Sequence, residues 1–161
     1  MKGERVGYTL VELLAAVAVV GILAALAAPA LQGTIARIRA QAALDQLVGD
    51  IALARAAAVS RGSRVELRFQ NDGECLPSRA GRNAATRYQV VAPGPEREVI
   101  RTENVFARMG GVCLETNNDT VLAFNSRGLP RAFQNRTLWA RRGSAADSAT
   151  VSVFGRVRRL D

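Results

Sequence analysis

Residues 7–31 read GYTLVELLAAVAVVGILAALAAPAL, and the organisation of the whole chain follows from this stretch. From Leu13 to Leu31 no residue is charged. At a rise of about 1.5 Å per residue, a helix from Tyr8 to Leu31 reaches about 36 Å, slightly more than the roughly 30 Å hydrocarbon core of a bilayer. A single membrane-spanning helix over 8–31 is therefore expected. Ahead of it, residues 1–7 form a short polar leader carrying Lys2 and Arg5. These cations put the helix start on the cytoplasmic side of the membrane and the remainder across it. A cleavable secretory signal would carry its apolar region before a small-residue cut site, whereas here the candidate junction at Gly7 precedes the apolar region.

Glu12 is out of place in this stretch, because a carboxylate just inside an apolar helix is costly without a partner. If the bond after Gly7 is cut, Tyr8 becomes an α-amino terminus with Glu12 four residues further on, where a negative charge also suits the helix dipole. The ammonium and the carboxylate can then neutralise each other, within one subunit or between packed ones. Pro29 lacks the N–H that would bond the Ala25 carbonyl, and with Gly21 it makes the helix easy to bend or locally unwind.

The segment Gly7-Tyr8-Thr9-Leu10-Val11-Glu12 resembles the processing and methylation motif of type IV prepilins and pseudopilins. The resemblance implies that a prepilin peptidase cuts after Gly7 and that Tyr8 becomes an N-methylated terminus. It also implies that Glu12 guides docking with other pilin subunits and that Pro29 is the kinking proline. Most of the family has Phe where this chain has Tyr8.

Beyond the membrane segment the pattern turns one-sided. Ile35, Ile38, Ala42, Leu47, Ile51, Ala54 and Ala58 follow three- and four-residue steps, with Arg37, Arg39, Asp45, Asp50 and Arg55 mostly off that stripe. An amphipathic helical half over 32–62 is predicted, the helix running from Tyr8 to about Ser60 with Gly62 as its stop. From Arg64 the period changes to two: Val65, Leu67 and Phe69 alternate with Glu66 and Arg68, and Asn71-Asp72-Gly73 reads as a turn. Further strands are expected at 86–92, 97–101, 111–115, 120–124, 136–140 and 149–154. Residues 76–86 and 141–149 read as polar loops. The fold class is α+β, a helical spine with an antiparallel β-rich head over 63–161.

Composition narrows the chemistry. The chain of 161 residues has no histidine, which removes the commonest general base and metal ligand, and its carboxylates form no recognisable catalytic pair. No phosphate loop or nucleophile elbow occurs, so an enzyme, a cofactor site and a metal centre are not expected. Cys75 and Cys113 are too few for a zinc site. Outside the cytoplasm they could pair, closing a loop of about 39 residues for roughly 4 kcal/mol; otherwise they are two separate thiols.

The head carries two further features. Val121-Leu122-Ala123-Phe124-Asn125-Ser126-Arg127-Gly128-Leu129-Pro130 resembles the Gly-x-Pro segment of the GspH/FimT group of H-type pseudopilins and minor pilins. Val151-Ser152-Val153-Phe154-Gly155-Arg156-Val157-Arg158 resembles that group's terminal strand with its Gly-Arg-x-Arg ending. Between Arg127 and Asp161 eight arginines face two acids. With residues 150–158 read as one strand, Arg156 and Arg158 project from a single face and Arg159 extends the basic end. Forked guanidiniums so placed can clasp phosphates of double-stranded DNA without reading sequence. The resemblance implies a filament subunit of a type IV pilus or a type II secretion pseudopilus, with DNA contact for natural transformation through Arg156, Arg158 and Arg159. A secretion pseudopilin with no DNA role is the alternative.

Overall fold

The structure, a computed structural model, describes residues 9–160 apart from 96, 118, 132 and 133, and only the backbone at 27–30 and 160. Gly7 and Tyr8 lie outside the described residues. The chain divides into two compact units at Ile35/Ala36.

Helix α1 spans Leu10–Ser60. Its start is set by Thr9, whose Oγ1 accepts the Glu12 N–H at 3.3 Å in the geometry of an N-cap. Its end is set by Gly62 at φ +60°, beyond which the Ser63 N–H turns back to the Ala58 carbonyl at 3.2 Å. Every described residue from Thr9 to Leu26 is exposed, including Leu10, Val17, Ile22 and Leu26. Among the described residues no single helix is long and apolar enough to cross a membrane; Leu10–Leu26 and Leu31–Ser60 meet that test only as a pair, by length and composition.

In the second unit α1 buries Ala40, Ala43, Leu44, Leu47, Ile51, Ala54 and Ala58. The stripe expected from sequence is correct from Leu47 onward, but Ile35, Ile38 and Ala42 are exposed. Ala40, Ala43 and Leu44 are buried there instead, so the buried stripe begins on a different face from the one the isoleucines marked. Asp50, read as off the stripe, is also buried.

The head holds two antiparallel sheets. The first is ordered β4 (Glu98–Asn104), β3 (Arg87–Ala92), β1 (Val65–Gln70), β6 (Val121–Phe124). The second is ordered β2 (Asn83–Ala85), β5 (Cys113–Thr116), β7 (Arg136–Arg142), β8 (Ala145–Val151), β9 (Val157–Leu160). A single turn of helix, α2 (Val105–Arg108), follows β4 and is capped by Asn104, whose Oδ1 accepts the Ala107 N–H at 3.0 Å. One apolar cluster joins α1 to both sheets, with Tyr88, Phe124, Leu67, Leu114, Leu122 and Leu138 fully buried. All of its residues fall between Ala43 and Val157, so the segment from Ala36 carries a core of its own.

Three readings of the sequence need correction. Residues 141–149 are not a loop: β7 and β8 form a hairpin across them, turning at Gly143 with φ +60°. Residues 150–158 are not one strand. The Gly155 N–H donates to the Ser152 carbonyl and the Ser152 N–H to the Arg156 carbonyl, both at 2.8 Å, closing a turn between β8 and β9. Gly155 has φ +78°, a left-handed conformation incompatible with a continuing strand. The short β2 likewise falls inside the stretch read as a loop at 76–86.

Candidate functional site

The two glycine motifs of the head, about thirty residues apart in sequence, meet on the last turns of α1. The turn after β6 is organised by Asn125, whose Oδ1 accepts the N–H groups of Arg127 and Leu129 at 2.9 and 3.0 Å. This sets Gly128 at φ +72° directly on α1, where an added Cβ would stand 3.0 Å from Arg55 Cγ and from Val59 Cγ2. Gly155 approaches the same place: a Cβ there would be 3.3 Å from Pro130 Cδ and 3.4 Å from the Gly128 carbonyl oxygen. Arg55 donates from Nη1 to the Gly155 carbonyl at 3.3 Å, so one side chain of α1 underlies both turns. Glycine is favoured at both positions by the left-handed backbone, with the added Cβ more crowded at Gly128 than at Gly155.

This juxtaposition sorts the C-terminal arginines. Arg136 is buried in β7, and its Nη1 donates to the carbonyls of Asp119 and Val121 at 3.0 and 2.6 Å. It supplies donors to the free edge of β6 and so joins the two sheets; burial lowers its pKa. Arg141 pairs with Glu115, and Arg142 donates to the Gly110 carbonyl. Arg159 pairs with Asp45 on α1 at 2.7 Å and with Asp147 on β8, tying the outermost strand to the helix. Arg127, Arg131, Arg156 and Arg158 are left with no carboxylate partner among the described residues, and Arg127, Arg131, Arg156 and Arg158 are all exposed. Arg156 leaves from the 152–156 turn and Arg158 from β9, beside Thr150. Val157 between them packs against the core.

The segments that build this face, 51–65, 125–131 and 152–160, contain no acidic residue, and Arg61 and Arg64 on the first are paired with Glu98 and Glu66 from elsewhere. Phe154 stands at the tip of the second turn with 72% of its surface exposed. Sequence reading singled out Arg156 and Arg158 but not Arg55 or Phe154. The signal for Arg55 was its place on the helix beside two glycines whose closeness only the fold reveals.

Two buried carboxylates hold the head that carries this face. Glu115, with no exposed side-chain surface, accepts from Ser78 N and Oγ at 2.9 and 2.7 Å, from Arg82 at 3.0 Å and from Arg141 at 2.9 Å. Burial alone would raise its pKa, but the bonds from Ser78, Arg82 and Arg141 outweigh it and the pKa is lowered. Arg82 also stacks 3.7 Å above the Trp139 ring. Cys75 and Cys113 are joined in a disulfide that fixes the same loop to β5, with a Cα separation of 5.7 Å. Asp50 on α1 accepts the Tyr88 hydroxyl at 2.6 Å and lies 2.9 Å from Arg101. Burial and then this hydrogen bond raise the Tyr88 pKa strongly. Among the described residues no group of three or more His, Cys, Asp or Glu converges as a metal site.

At the other end of the chain, Glu12 is exposed in the first turn of α1, three residues after Thr9. Thr-x-x-Glu is the spacing of a capping box, a helix-start signal inside the processing motif itself. The helical backbone runs on through Pro29.

A long N-terminal helix followed by antiparallel sheets packed on its C-terminal half defines the type IV pilin fold. The family model described as "Type II transport protein GspH" matches residues 43–155, and the chain belongs to that family. Two crystal forms of the type IV minor pilin FimU of Pseudomonas aeruginosa share the fold, at TM-scores of 0.55 and 0.56 and 16% identity in each case. The matches cover 75% and 78% of this chain and 92% and 90% of FimU. A comparison with curated proteins found no match.

Proposed function

We propose that the chain is a minor pilin whose head binds DNA through its backbone phosphates, as a non-enzymatic subunit of a pilus filament. In this reading a prepilin peptidase removes residues 1–7 after Gly7 and Tyr8 is N-methylated. The apolar helix over 8–31 holds the protein in the inner membrane with the head in the periplasm, and the exposed apolar surface of Leu10 to Leu26 supports this, since water alone would leave it uncovered. On assembly the helix leaves the bilayer to pack against other subunits, with Glu12 meeting a neighbour's terminal amine and Pro29 easing local unwinding.

The observation that carries the DNA reading is the face made by the two joined turns. Arg127, Arg156 and Arg158 are exposed, unpaired by carboxylates among the described residues, and presented on segments without an acid. Guanidiniums so placed contact phosphates and make binding salt-dependent. Arg159 serves this face as a positioning residue, through Asp45 and Asp147. The test is a salt series of duplex binding by Arg156→Ala/Arg158→Ala: affinity should fall and the dependence on salt should flatten. Unchanged affinity would end the DNA reading. The second reading, a type II secretion pseudopilin with no DNA role, is favoured by the description of the matched family. Measuring transformation and secretion together in a deletion strain separates the two.

A further inference from the structure

Phe154 is not accounted for by phosphate contacts. A phenylalanine with 72% of its surface exposed sits on a turn that is otherwise rigidly built. Two backbone bonds of 2.8 Å close the turn, the Val153 N–H donates to Asn135 Oδ1 at 3.3 Å, and the Arg156 N–H donates to Ser152 Oγ at 3.1 Å. Arg55 then fixes the Gly155 carbonyl from below. The ring is therefore carried on a well-defined platform, two residues before Arg156 in sequence and on the turn that abuts the one bearing Arg127. Leu129 adds a second partly exposed apolar side chain at 38% exposure.

A flat apolar ring beside guanidiniums, on segments with no carboxylate, suits a polyanion whose repeating units also offer π-faces. Bases are available for stacking in single-stranded nucleic acid and are largely hidden in a duplex. We propose that this face takes single-stranded DNA, with Phe154 stacking on a base while Arg127, Arg156 and Arg158 hold the flanking phosphates. Arg127 and Arg156 lie on the two turns that abut through Gly128 and Gly155, and Phe154 lies on the second of them. The inference rests on the DNA reading above and narrows it to a strand form and a stacking residue. Stacking tolerates any base, so binding is without sequence preference.

The test uses the full chain in detergent micelles and three labelled probes: a mixed-sequence single strand, the same strand as a duplex, and an abasic strand with the same number of phosphates. The wild type should bind the normal single strand about tenfold more tightly than the abasic one, the size of one base stacked on an aromatic ring. Phe154→Ala should erase that difference while leaving the duplex and abasic affinities unchanged, and Phe154→Trp should keep it. If Phe154→Ala binds the normal single strand as the wild type does, or weakens on all three probes alike, the stacking inference is overturned. Equal wild-type affinity for normal and abasic strands overturns it too. Arg156→Ala/Arg158→Ala distinguishes the two levels: loss of all three probes there with no effect of Phe154→Ala leaves phosphate binding standing alone, whereas no effect of the double variant removes the DNA reading itself.

Discussion

Replacing Glu115 by glutamine tests how the β-rich head is held together. The carboxylate accepts four hydrogen bonds while its side chain is fully shielded from solvent, and two of the donors are guanidiniums. A glutamine keeps one acceptor oxygen, sufficient for Ser78 N–H and Arg141 Nε at the Oε1 position. Its amide nitrogen, however, faces the Arg82 guanidinium donor to donor. Breaking a buried ion pair by neutralising one partner costs about 3–5 kcal/mol where the other charge is left stranded. Here the Arg82 and Arg141 side chains keep 19% and 29% of their surface in solvent, so each recovers some hydration. The expected loss is about 2–3 kcal/mol, or roughly 10 °C in Tm for a head of this size.

The pH dependence gives the prediction a second, independent readout. The folded pKa of Glu115 lies below its ordinary value of 4.5, so its stabilising contribution is complete above that value and is lost as pH falls through the folded pKa. Urea unfolding of wild type and Glu115→Gln across an acidic to neutral series should show the widest gap at neutral pH and a narrowing gap below about pH 4.5. Comparing the two proteins cancels the other carboxylates. A gap under about 0.5 kcal/mol at neutral pH, within the range of an ordinary surface change, would refute the assigned role. So would a gap that stays constant into the acid range.

Two further substitutions probe the supports of the site. Gly155→Ala should destabilise by about 2 kcal/mol, combining the left-handed backbone penalty with the crowding against Pro130 and Gly128. Gly73→Ala, at φ +95° but with nothing within 4 Å of the added Cβ, should cost distinctly less, and equal urea midpoints for the two would contradict the packing account. Tyr88→Phe removes the buried 2.6 Å bond to Asp50 and should cost about 1–3 kcal/mol with an unchanged m-value; a neutral effect would mean that Gln46 and Arg101 alone satisfy the carboxylate.

The sequence made the helix legible because its signals are local: an uncharged apolar run, a stripe at three- and four-residue steps beyond it, and a stop glycine. The strands that were read correctly announce themselves locally, Val65–Gln70 by the alternation of apolar with charged residues and Val121–Phe124 by a continuous apolar run. The first part of strand β8 was missed because Ala145-Ala146-Asp147-Ser148 has little intrinsic strand preference, and its place is set by pairing with β7 on one side and β9 on the other. The run from Thr150 to Arg158 misled in the opposite way: its alternation imitates a strand, and only the positive φ of Gly155 reveals the turn. The meeting of Gly128, Gly155 and Arg55 could not be read from spacing, since it joins three elements distant in the chain.

The electrostatics show why net charge alone was a poor guide to function. A formal charge of +8 suggests a uniformly basic surface, yet much of the arginine is committed internally. Arg64 and Arg68 hold Glu66, Arg82 and Arg141 hold Glu115, Arg101 reaches Asp50 and Glu103, Arg108 reaches Glu103, and Arg159 bridges Asp45 to Asp147. In these pairs each guanidinium lets a carboxylate be buried or a strand be anchored, so their positive charge is spent locally and projects little field. What remains for a partner is therefore the surplus at particular places, and the adjoining turns at 125–131 and 152–156 present it on segments that contain no acid of their own. An unselective reduction of net charge should unfold the head before it reports on binding. Substitutions confined to Arg127, Arg156 and Arg158 leave every ion pair named above intact, and so address the function without dismantling the fold.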